Sequence, residues 1–345
     1  MGYVMTKQLY REHELAFRTQ YAELKERSLG AGELLPGTPG SLALRAGSGR
    51  GYWYRVFYTA PQKAKEELVC KEADEDALNA MRQRMAFAEW SAKQVGSLRK
   101  LTFQVADKTT ARVLVELHNR QAFEAGLILV GSLGYMAWLN ELGAIAVTAR
   151  TLDIDLARRQ KLKLAAPLSF LDTMQGTGLP FVAVPGLPST APSTSIKLPG
   201  VEGLRVDVLA PGNVLGASIK VPELEWVAQA IPHYDYLLAD AERGAMLAGG
   251  HCIPVRLPQA ARFVWHKLFA STKRHGSPEK AAKDQQQALI LGAVLADNDS
   301  GELVDAFKAA PKPMLTSVKP LLTRLVNKAA AHPALVQVLR GCLGR

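Results

Sequence analysis

The pattern of hydrophobic and polar residues changes sharply in the middle of the chain. A short apolar run at 127–130 ends in Gly131 and Ser132, and a longer, mostly apolar stretch follows at 135–142. A short apolar run bounded by glycine is typical of a buried strand, whereas the longer stretch favours a helix. The pattern therefore predicts a strand, a tight glycine turn and a helix. Gly143 is suited to the left-handed backbone with which many helices end.

Regular alternation marks residues 151–156 as a second strand, in which Asp153 and Asp155 alternate with apolar residues. Successive side chains of a strand point to opposite faces, so both carboxylates share one face and the apolar residues face the core. Two carboxylates on one face repel each other and lose hydration, so we expect a cation near them. A third acid, Asp207, lies in a similar run at 204–209 and is a candidate partner.

The flanking regions carry further periodic segments. The predicted elements are helices in 1–29, 61–104 and 109–124, a β-hairpin over 41–58, short strands at 181–184, 195–198 and 217–221, a helix at 225–230, and helices from Pro258, at 284–295 and within 302–343. Together they predict an α+β protein with a mixed sheet and flanking helices. We expect an N-terminal helical and hairpin region at 1–107, a core at 108–222 and a C-terminal helical domain at 223–345.

Composition narrows the function classes. The chain of 345 residues carries 42 Lys and Arg against 32 Asp and Glu, a net charge of +10. Such an excess favours a polyanionic partner such as nucleic acid, although many basic proteins bind none. The 3 cysteines are scattered, which argues against a disulfide framework and predicts a reducing compartment, the cytoplasm. No apolar run is long enough to predict a membrane span.

The glycine turn and the acids suggest complementary halves of one site. Backbone N–H groups at a helix start, without a Cβ in the way, are suited to phosphate at Gly131 and Ser132. Mg²⁺ (or Mn²⁺) prefers oxygen ligands and commonly binds together with substrate phosphates. The sequence therefore predicts a nucleotide-phosphate and metal site.

The order Gly131-Ser132, Asp153-x-Asp155 and a later strand with Asp207 resembles the nucleotidyltransferase superfamily. Its relatives include polymerase beta and the abortive-infection toxin-type transferases, and a bacterial nucleotidyltransferase-like family is more similar still. The resemblance covers about residues 108–290. It implies metal-dependent transfer of a nucleoside monophosphate from a nucleoside triphosphate, such as ATP, to a hydroxyl acceptor.

The resemblance also implies roles for individual residues. Asp153, Asp155 and Asp207 correspond to the catalytic, metal-binding acids, and Gly131 and Ser132 to the phosphate-binding turn. Arg150 is a candidate phosphate contact, although it is equally suited to balancing the acids. Toxin-type relatives supply a lysine from a helix that follows the third carboxylate, and Lys267 has the matching setting.

The acceptor is open at this stage. An RNA 3′ end, such as that of a tRNA, fits the positive charge, while a protein hydroxyl or a small molecule is also compatible, and a toxin–antitoxin or defence role is allowed. Arg158, Arg159, Lys161 and Lys163 follow the acid pair, either to bind acceptor nucleic acid or as solvated surface. The alternative hypothesis is a non-catalytic module on a decayed transferase fold that binds nucleic acid or a protein partner not identified by the sequence.

Overall fold

The computed structural model describes residues 8–47, 50–60, 63–147 and 151–344. Its helices are α1 Leu15–Leu29, α2 Glu75–Lys100, α3 Lys108–Asn119, α4 Gly131–Glu141, α5 Phe170–Gly176, α6 Tyr234–Leu237, α7 Ala260–Thr272, α8 Pro278–Lys308, α9 Lys312–Lys328 and α10 Pro333–Leu343. Its strands are β1 Arg11–Glu12, β2 Ser41–Gly47, β3 Arg50–Ala60, β4 Lys63–Lys71, β5 Leu127–Leu129, β6 Ala144–Ile145, β7 Asp153–Arg158, β8 Val182–Ala183, β9 Ser195–Lys197, β10 Arg205–Pro211, β11 Ser218–Val221, β12 Trp226–Ile231, β13 Glu242–Ala248 and β14 His251–Leu257. A mixed sheet flanked by helices confirms the predicted α+β class.

The central sheet has the strand order β11-β12-β10-β7-β5, with β9 paired to both β10 and β8. Strands β7, β10 and β12 are parallel to one another, whereas β5 and β11 are antiparallel to their neighbours. Ile154 and Leu156 of β7 and Val206 and Val208 of β10 are completely buried. Their burial on one face leaves the first alternate positions of both strands, Asp153 and Asp155 on β7 and Arg205 and Asp207 on β10, on the other face.

The four C-terminal helices, α7 to α10, pack on one another as a layer. Trp265 of α7 is buried, donates its indole N–H to the Leu303 carbonyl at 2.8 Å and packs edge-on against Phe307. This contact fixes α7 along α8, the longest described helix. The helix predicted at 284–295 and the first of those predicted within 302–343 both lie in α8, which is interrupted by a kink at Asp299 where the backbone leaves helical geometry.

The N-terminal region packs around the hairpin β13–β14. A small core joins α1 and α2 to this hairpin through buried residues that include Leu24, Leu98, Leu247 and Cys252. A separate sheet, β2-β3-β4, packs against α2 through β4. The helix predicted for residues 1–29 is observed only from Leu15 onward, and residues 1–7 lie outside the described ranges.

The prediction of helix from residue 61 onward is wrong for its first part, because residues 63–71 form β4. Acidic residues of this segment pair with arginines of the other two strands of the same sheet. Glu66 pairs with Arg45, and Glu67 pairs with the completely buried Arg55, each at 2.8 Å. These pairs extend the predicted hairpin to three strands, and helix begins only at Glu75.

The helix predicted at 225–230 is also wrong, because residues 226–231 form β12. Burial alternates along the strand, with Ala228 and Ala230 buried. Six residues are too few to distinguish a strand from a helix by periodicity. The hairpin β13–β14 and helix α5 are further elements that the sequence pattern did not reveal.

Candidate functional site

Two carboxylates lie side by side on the central sheet. In the parallel pairing of β7 with β10, Asp155 is the register partner of Asp207, and Asp153 is the register partner of Arg205. All four side chains occupy one face, because the intervening residues Ile154 and Val206 are buried on the other. The predicted face of acids is therefore present, and it combines acids from strands about 50 residues apart in sequence.

Gly131 lies directly against Asp155. A Cβ added at this glycine would lie 1.8 Å from Oδ2 of Asp155 and 2.7 Å from its Cγ. Gly131 also has a φ of +65°, a conformation that side chains with a Cβ rarely adopt. The backbone N–H of Val130 donates to the Asp155 carbonyl at 3.0 Å, which fixes the turn to β7. The glycine of the predicted turn is thus required by the position of the carboxylate.

Helix α4 begins at this turn, so Ser132 lies in its first turn, partly exposed. The N-cap residue, Val130, contributes no side-chain hydrogen bond to the helix start. The first N–H groups of a helix lack intrahelical partners and carry partial positive charge. The start of α4 therefore presents backbone donors next to Asp155.

Asp207 is engaged by a basic residue of its own strand. Arg205 donates through Nε to Asp207 at 2.9 Å and also contacts Oγ of Ser195 on β9. The two residues are two positions apart on β10 and share a face. This pair holds Asp207 in place beside Asp155, and Asp153, at the start of β7, is exposed.

The electrostatics of Asp155 reflect its surroundings. Its pKa is raised to about 6, first by burial and then by repulsion from Asp207 and Asp153, while Lys267 and Arg274 act in the opposite direction. Burial and like charges both disfavour the ionised form. A cation bound between the carboxylates would relieve this cost.

Lys267 reaches the site from α7 as a buried cation. Its ammonium lies 3.5 Å from Asp284 of α8, and Arg274 contacts the other oxygen of Asp284 at 3.1 Å. Burial lowers the pKa of Lys267, whereas attraction first to Asp284 and then to Asp155 opposes that shift. Asp284 therefore holds two cations within electrostatic reach of Asp155.

A buried tyrosine completes the surroundings. Tyr234 packs edge-on against His266, and its pKa is raised by burial and then by the negative charge of Asp155. Burial lowers the pKa of His266 to about 4, so the imidazole is neutral near neutral pH. Tyr234 is therefore a buried neighbour of Asp155 that is held against a neutral ring.

The structure brings most of the predicted residues together. Gly131, Ser132, Asp155, Asp207 and Lys267 converge, with Asp153 at the edge, whereas Arg150 lies outside the described ranges. Sequence reasoning missed Arg205, Arg274, Asp284 and Tyr234 as neighbours of the acids. Two-residue spacing from Asp207 could have indicated Arg205, and the position of Asp284 at the start of the helix predicted at 284–295 carries no signal for the contact with Lys267. No sequence signal pointed to Tyr234.

The side-chain donors at this site have the chemistry that a metal ion needs, although three ligands are not already arranged around one position. Within the described parts of the chain, no group of three or more His, Cys, Asp or Glu side chains is arranged to hold a metal. Asp155 and Asp207 nevertheless supply carboxylate oxygens, the ligands that Mg²⁺ prefers. The strand register and the tight Gly131 turn hold the two carboxylates together, and their mutual repulsion contributes to the raised pKa of Asp155. The residues present therefore fit a magnesium ion.

Comparison with known proteins identifies the family to which the chain is similar. A family model described as "Nucleotidyltransferase" matches residues 108–311, more than half of the chain. No curated protein and no solved structure matches the chain. Of the helices in the described ranges, none has both the length and the apolar composition to cross a membrane.

Proposed function

The chain belongs to this nucleotidyltransferase family, and from that premise we propose that it transfers a nucleoside monophosphate from a nucleoside triphosphate to a hydroxyl acceptor at the site around Asp155. The observation that carries the proposal is the pairing of Asp155 with Asp207 against Gly131. A helix start, two carboxylates and a buried lysine meet there. Each of these features is suited to a different part of a nucleotide bound with a metal ion.

We assign a bound Mg²⁺ or Mn²⁺ to Asp155 and Asp207, with Asp153 as the third candidate ligand. When bound, the metal supplies Lewis-acid stabilisation of charge on the phosphate oxygens. Arg205 holds Asp207 beside its partner, and Gly131 allows Asp155 to approach the turn. Asp155 and Asp207 thus act as two oxygen donors that the register of the sheet holds side by side.

The phosphates of the nucleotide are assigned to the start of α4 and to Lys267. The N–H groups of the first turn, including that of Ser132, would donate to phosphate oxygens. Lys267 would neutralise charge on the leaving pyrophosphate, and the attraction of Asp284 opposes the lowering of the Lys267 pKa that burial causes. Arg150 remains a candidate phosphate contact. Positioning and charge neutralisation would then supply most of the rate enhancement, as in other phosphate-transfer enzymes.

For the acceptor we propose the 3′ hydroxyl of an RNA, a tRNA included. The net charge of +10 supports a polyanionic acceptor. A toxin or defence role is compatible with this chemistry and follows only if the modified RNA loses its function. Cys70 and Cys252 are buried and form no disulfide with each other, which supports a reducing compartment and the cytoplasm as the proposed location.

The reaction is tested with each of the four α-³²P-labelled nucleoside triphosphates and Mg²⁺, with and without total RNA. We expect label to enter RNA with the native chain and not with Asp153→Asn or with chelated metal. Label on protein would replace the RNA acceptor by a protein hydroxyl. Absence of transfer from every nucleotide to any acceptor, under conditions where the chain is folded, would contradict the proposal.

A further inference from the structure

A cleft rich in cations lies at the end of β7 opposite to the carboxylates. It encloses about 310 Å³ between the segment 159–163, the start of β5 and Arg256 of β14. Four of its lining residues are basic, and we call these four the basic cleft: Arg159, Lys161, Lys163 and Arg256. Asp155 is near the first residue of β7, whereas the chain leaves that strand at Arg158. The basic cleft is therefore separate from the carboxylate site.

The segment 159–163 is fixed by its own backbone and by one apolar anchor. Leu162 is buried and donates its N–H to Glu223 at 2.9 Å, and the N–H of Lys163 donates to the Ala125 carbonyl at 2.9 Å. Arg159, Lys161 and Lys163 are exposed at the alternate positions. The anchor points hold the backbone in place while the three side chains extend into solvent.

One of the four cations that follow the acid pair has a structural role, and the other three do not. Arg158 pairs with the buried Glu223 at 2.7 Å. In the described residues, no acid forms an ion pair with Arg159, Lys161 or Lys163. Arg158 is thus occupied by Glu223, whereas Arg159, Lys161 and Lys163 are available to a ligand.

The acids at the cleft are already neutralised from outside it. Glu124 pairs with Arg243 at 3.1 Å, and Asp240 pairs with Arg262 at 2.9 Å. The guanidinium of Arg256 donates one hydrogen bond to the Ala241 carbonyl, at 3.0 Å, and its buried Nε has no partner among the described residues. The cleft therefore presents a cationic surface whose own acids do not compensate it.

We propose that the basic cleft binds the phosphodiester backbone of the acceptor nucleic acid, an inference that rests on the proposed function. From Asp155 to Arg158 is three residues of strand, or roughly 10 Å at about 3.3 Å per residue, and Arg159 follows at the bend after the strand. At about 3.4 Å per stacked nucleotide, the cleft would contact phosphates roughly three nucleotides or more from the reacting end. No described residue that lines the cleft is aromatic, which favours contact with phosphates over stacking of bases.

Binding is tested by fluorescence anisotropy of a labelled single-stranded RNA 12-mer, without nucleotide, over a series of KCl concentrations. The variant Arg159→Gln, Lys161→Gln, Lys163→Gln removes the three exposed cations of the cleft. The matched control, Lys312→Gln, Lys328→Gln, Arg340→Gln, removes the same charge from exposed positions of α9 and α10. A DNA 12-mer distinguishes backbone phosphate common to both polymers from contacts that need RNA.

We expect the cleft variant to bind RNA at least ten-fold more weakly at about 0.1 M salt, with the slope of log K against log[KCl] reduced by about 2, since each phosphate contact on a single strand contributes about 0.7. The control should lose much less. Equal losses in the two variants, or an unchanged slope in the cleft variant, would overturn the proposal. A loss on DNA as well as RNA supports contact with the shared backbone, and a loss on RNA alone supports RNA as the source.

A second readout separates this inference from the proposed function. Nucleotide transfer to a dinucleotide acceptor, which is too short to reach the cleft, should be unchanged in the cleft variant, while transfer to the 12-mer falls. Equal losses on both acceptors would show that the cations act at the reacting site and would contradict a remote contact. If RNA binding depends on the basic cleft but the native chain transfers no nucleotide, the result would support the proposed role of the cleft and refute the proposed enzymatic function.

Discussion

The contact between Gly131 and Asp155 leads to a quantitative prediction for Gly131→Ala. The new Cβ would lie 1.8 Å from the Asp155 carboxylate oxygen. Because carbon contacts normally lie at about 3.5 Å, the carboxylate must move by roughly 1.7 Å or the turn must shift. Alanine at a φ of +65° adds about 1–2 kcal/mol of backbone strain. A displacement of about 1 Å at a reacting centre can lower the rate about 100-fold.

We therefore expect Gly131→Ala to lower the rate of nucleotidyl transfer by about 100-fold or more while it costs only a few kcal/mol of stability. The assay is initial-rate transfer of α-³²P label, combined with thermal unfolding followed by circular dichroism. The matched control is Gly96→Ala in α2, where the added Cβ would meet nothing within 4 Å. It should keep full activity and gain up to about 1 kcal/mol from helix propensity.

Full transfer activity in folded Gly131→Ala would refute the reasoning, because it would mean that the position of the Asp155 carboxylate is not required. Equal losses in both glycine variants would point to a general sensitivity of the chain and would also contradict the local explanation.

Three further predictions concern buried titratable side chains. Asp284→Asn should destabilise the fold by about 3 kcal/mol in chemical denaturation, because it leaves Lys267 buried without its counter-ion; Asp284→Asn with Lys267→Met should recover part of this loss, and a double variant no more stable than the single one would contradict the pairing. Burial lowers the pKa of His13 to about 4, so the native state should lose up to about 3 kcal/mol as pH falls from about 6.5 to 4, and His13→Phe should abolish that part of the pH dependence of the free energy of unfolding. Glu223→Gln should cost about 2 kcal/mol of unfolding free energy at pH 7. Hydrogen bonds from Arg158 and from backbone N–H groups outweigh burial and lower the Glu223 pKa, so this stabilisation exists above about pH 4.3 and is lost as pH falls through the lowered pKa. The same difference in unfolding free energy between the native chain and the variant at pH 3 and at pH 7 would contradict this prediction.

The carboxylate face illustrates how far the sequence reaches. Alternation alone placed Asp153 and Asp155 on one face, and the same reasoning applied to Asp207 on its own strand. The register that sets Asp155 beside Asp207 depends on the pairing of two strands separated by a long loop, which local periodicity does not encode. The glycine turn was recognised, but its contact with the carboxylate follows only from the packing of α4 on β7.

The cations were predictable to different degrees. Lys267 was assigned through family resemblance, because nothing in its own helix distinguishes it from a solvated lysine. Its partnership with Asp284, and that of Asp284 with Arg274, arises where α7 and α8 meet, so it is a property of the tertiary structure. Tyr234 comes from a four-residue helix after a strand that the pattern interpreted as helical. Short segments of this kind are decided by packing partners more than by their own propensity.

The hairpin region shows a similar limit. The sequence pattern assigns Glu66 and Glu67 to a helix, whereas in β4 Glu67 lies opposite Arg55 of the neighbouring strand β3 and Glu66 reaches across to Arg45 of β2. Cross-strand ion pairs and helical surface charges look alike in a single sequence, because the partner lies in a distant segment. Only the pairing of β3 with β4 distinguishes the two interpretations.

The most direct test of the central claim is the initial rate of label transfer by Asp155→Asn and by Asp207→Asn, beside Asp76→Asn at the exposed start of α2 as the control. Each of the first two variants keeps the size of the side chain and removes the charge that the site holds in place. The account predicts a loss of at least about 100-fold in both, equivalent to about 2.7 kcal/mol of transition-state stabilisation, with unchanged folding and a control at the native rate. Transfer at the native rate in either site variant would contradict the assignment of the paired carboxylates.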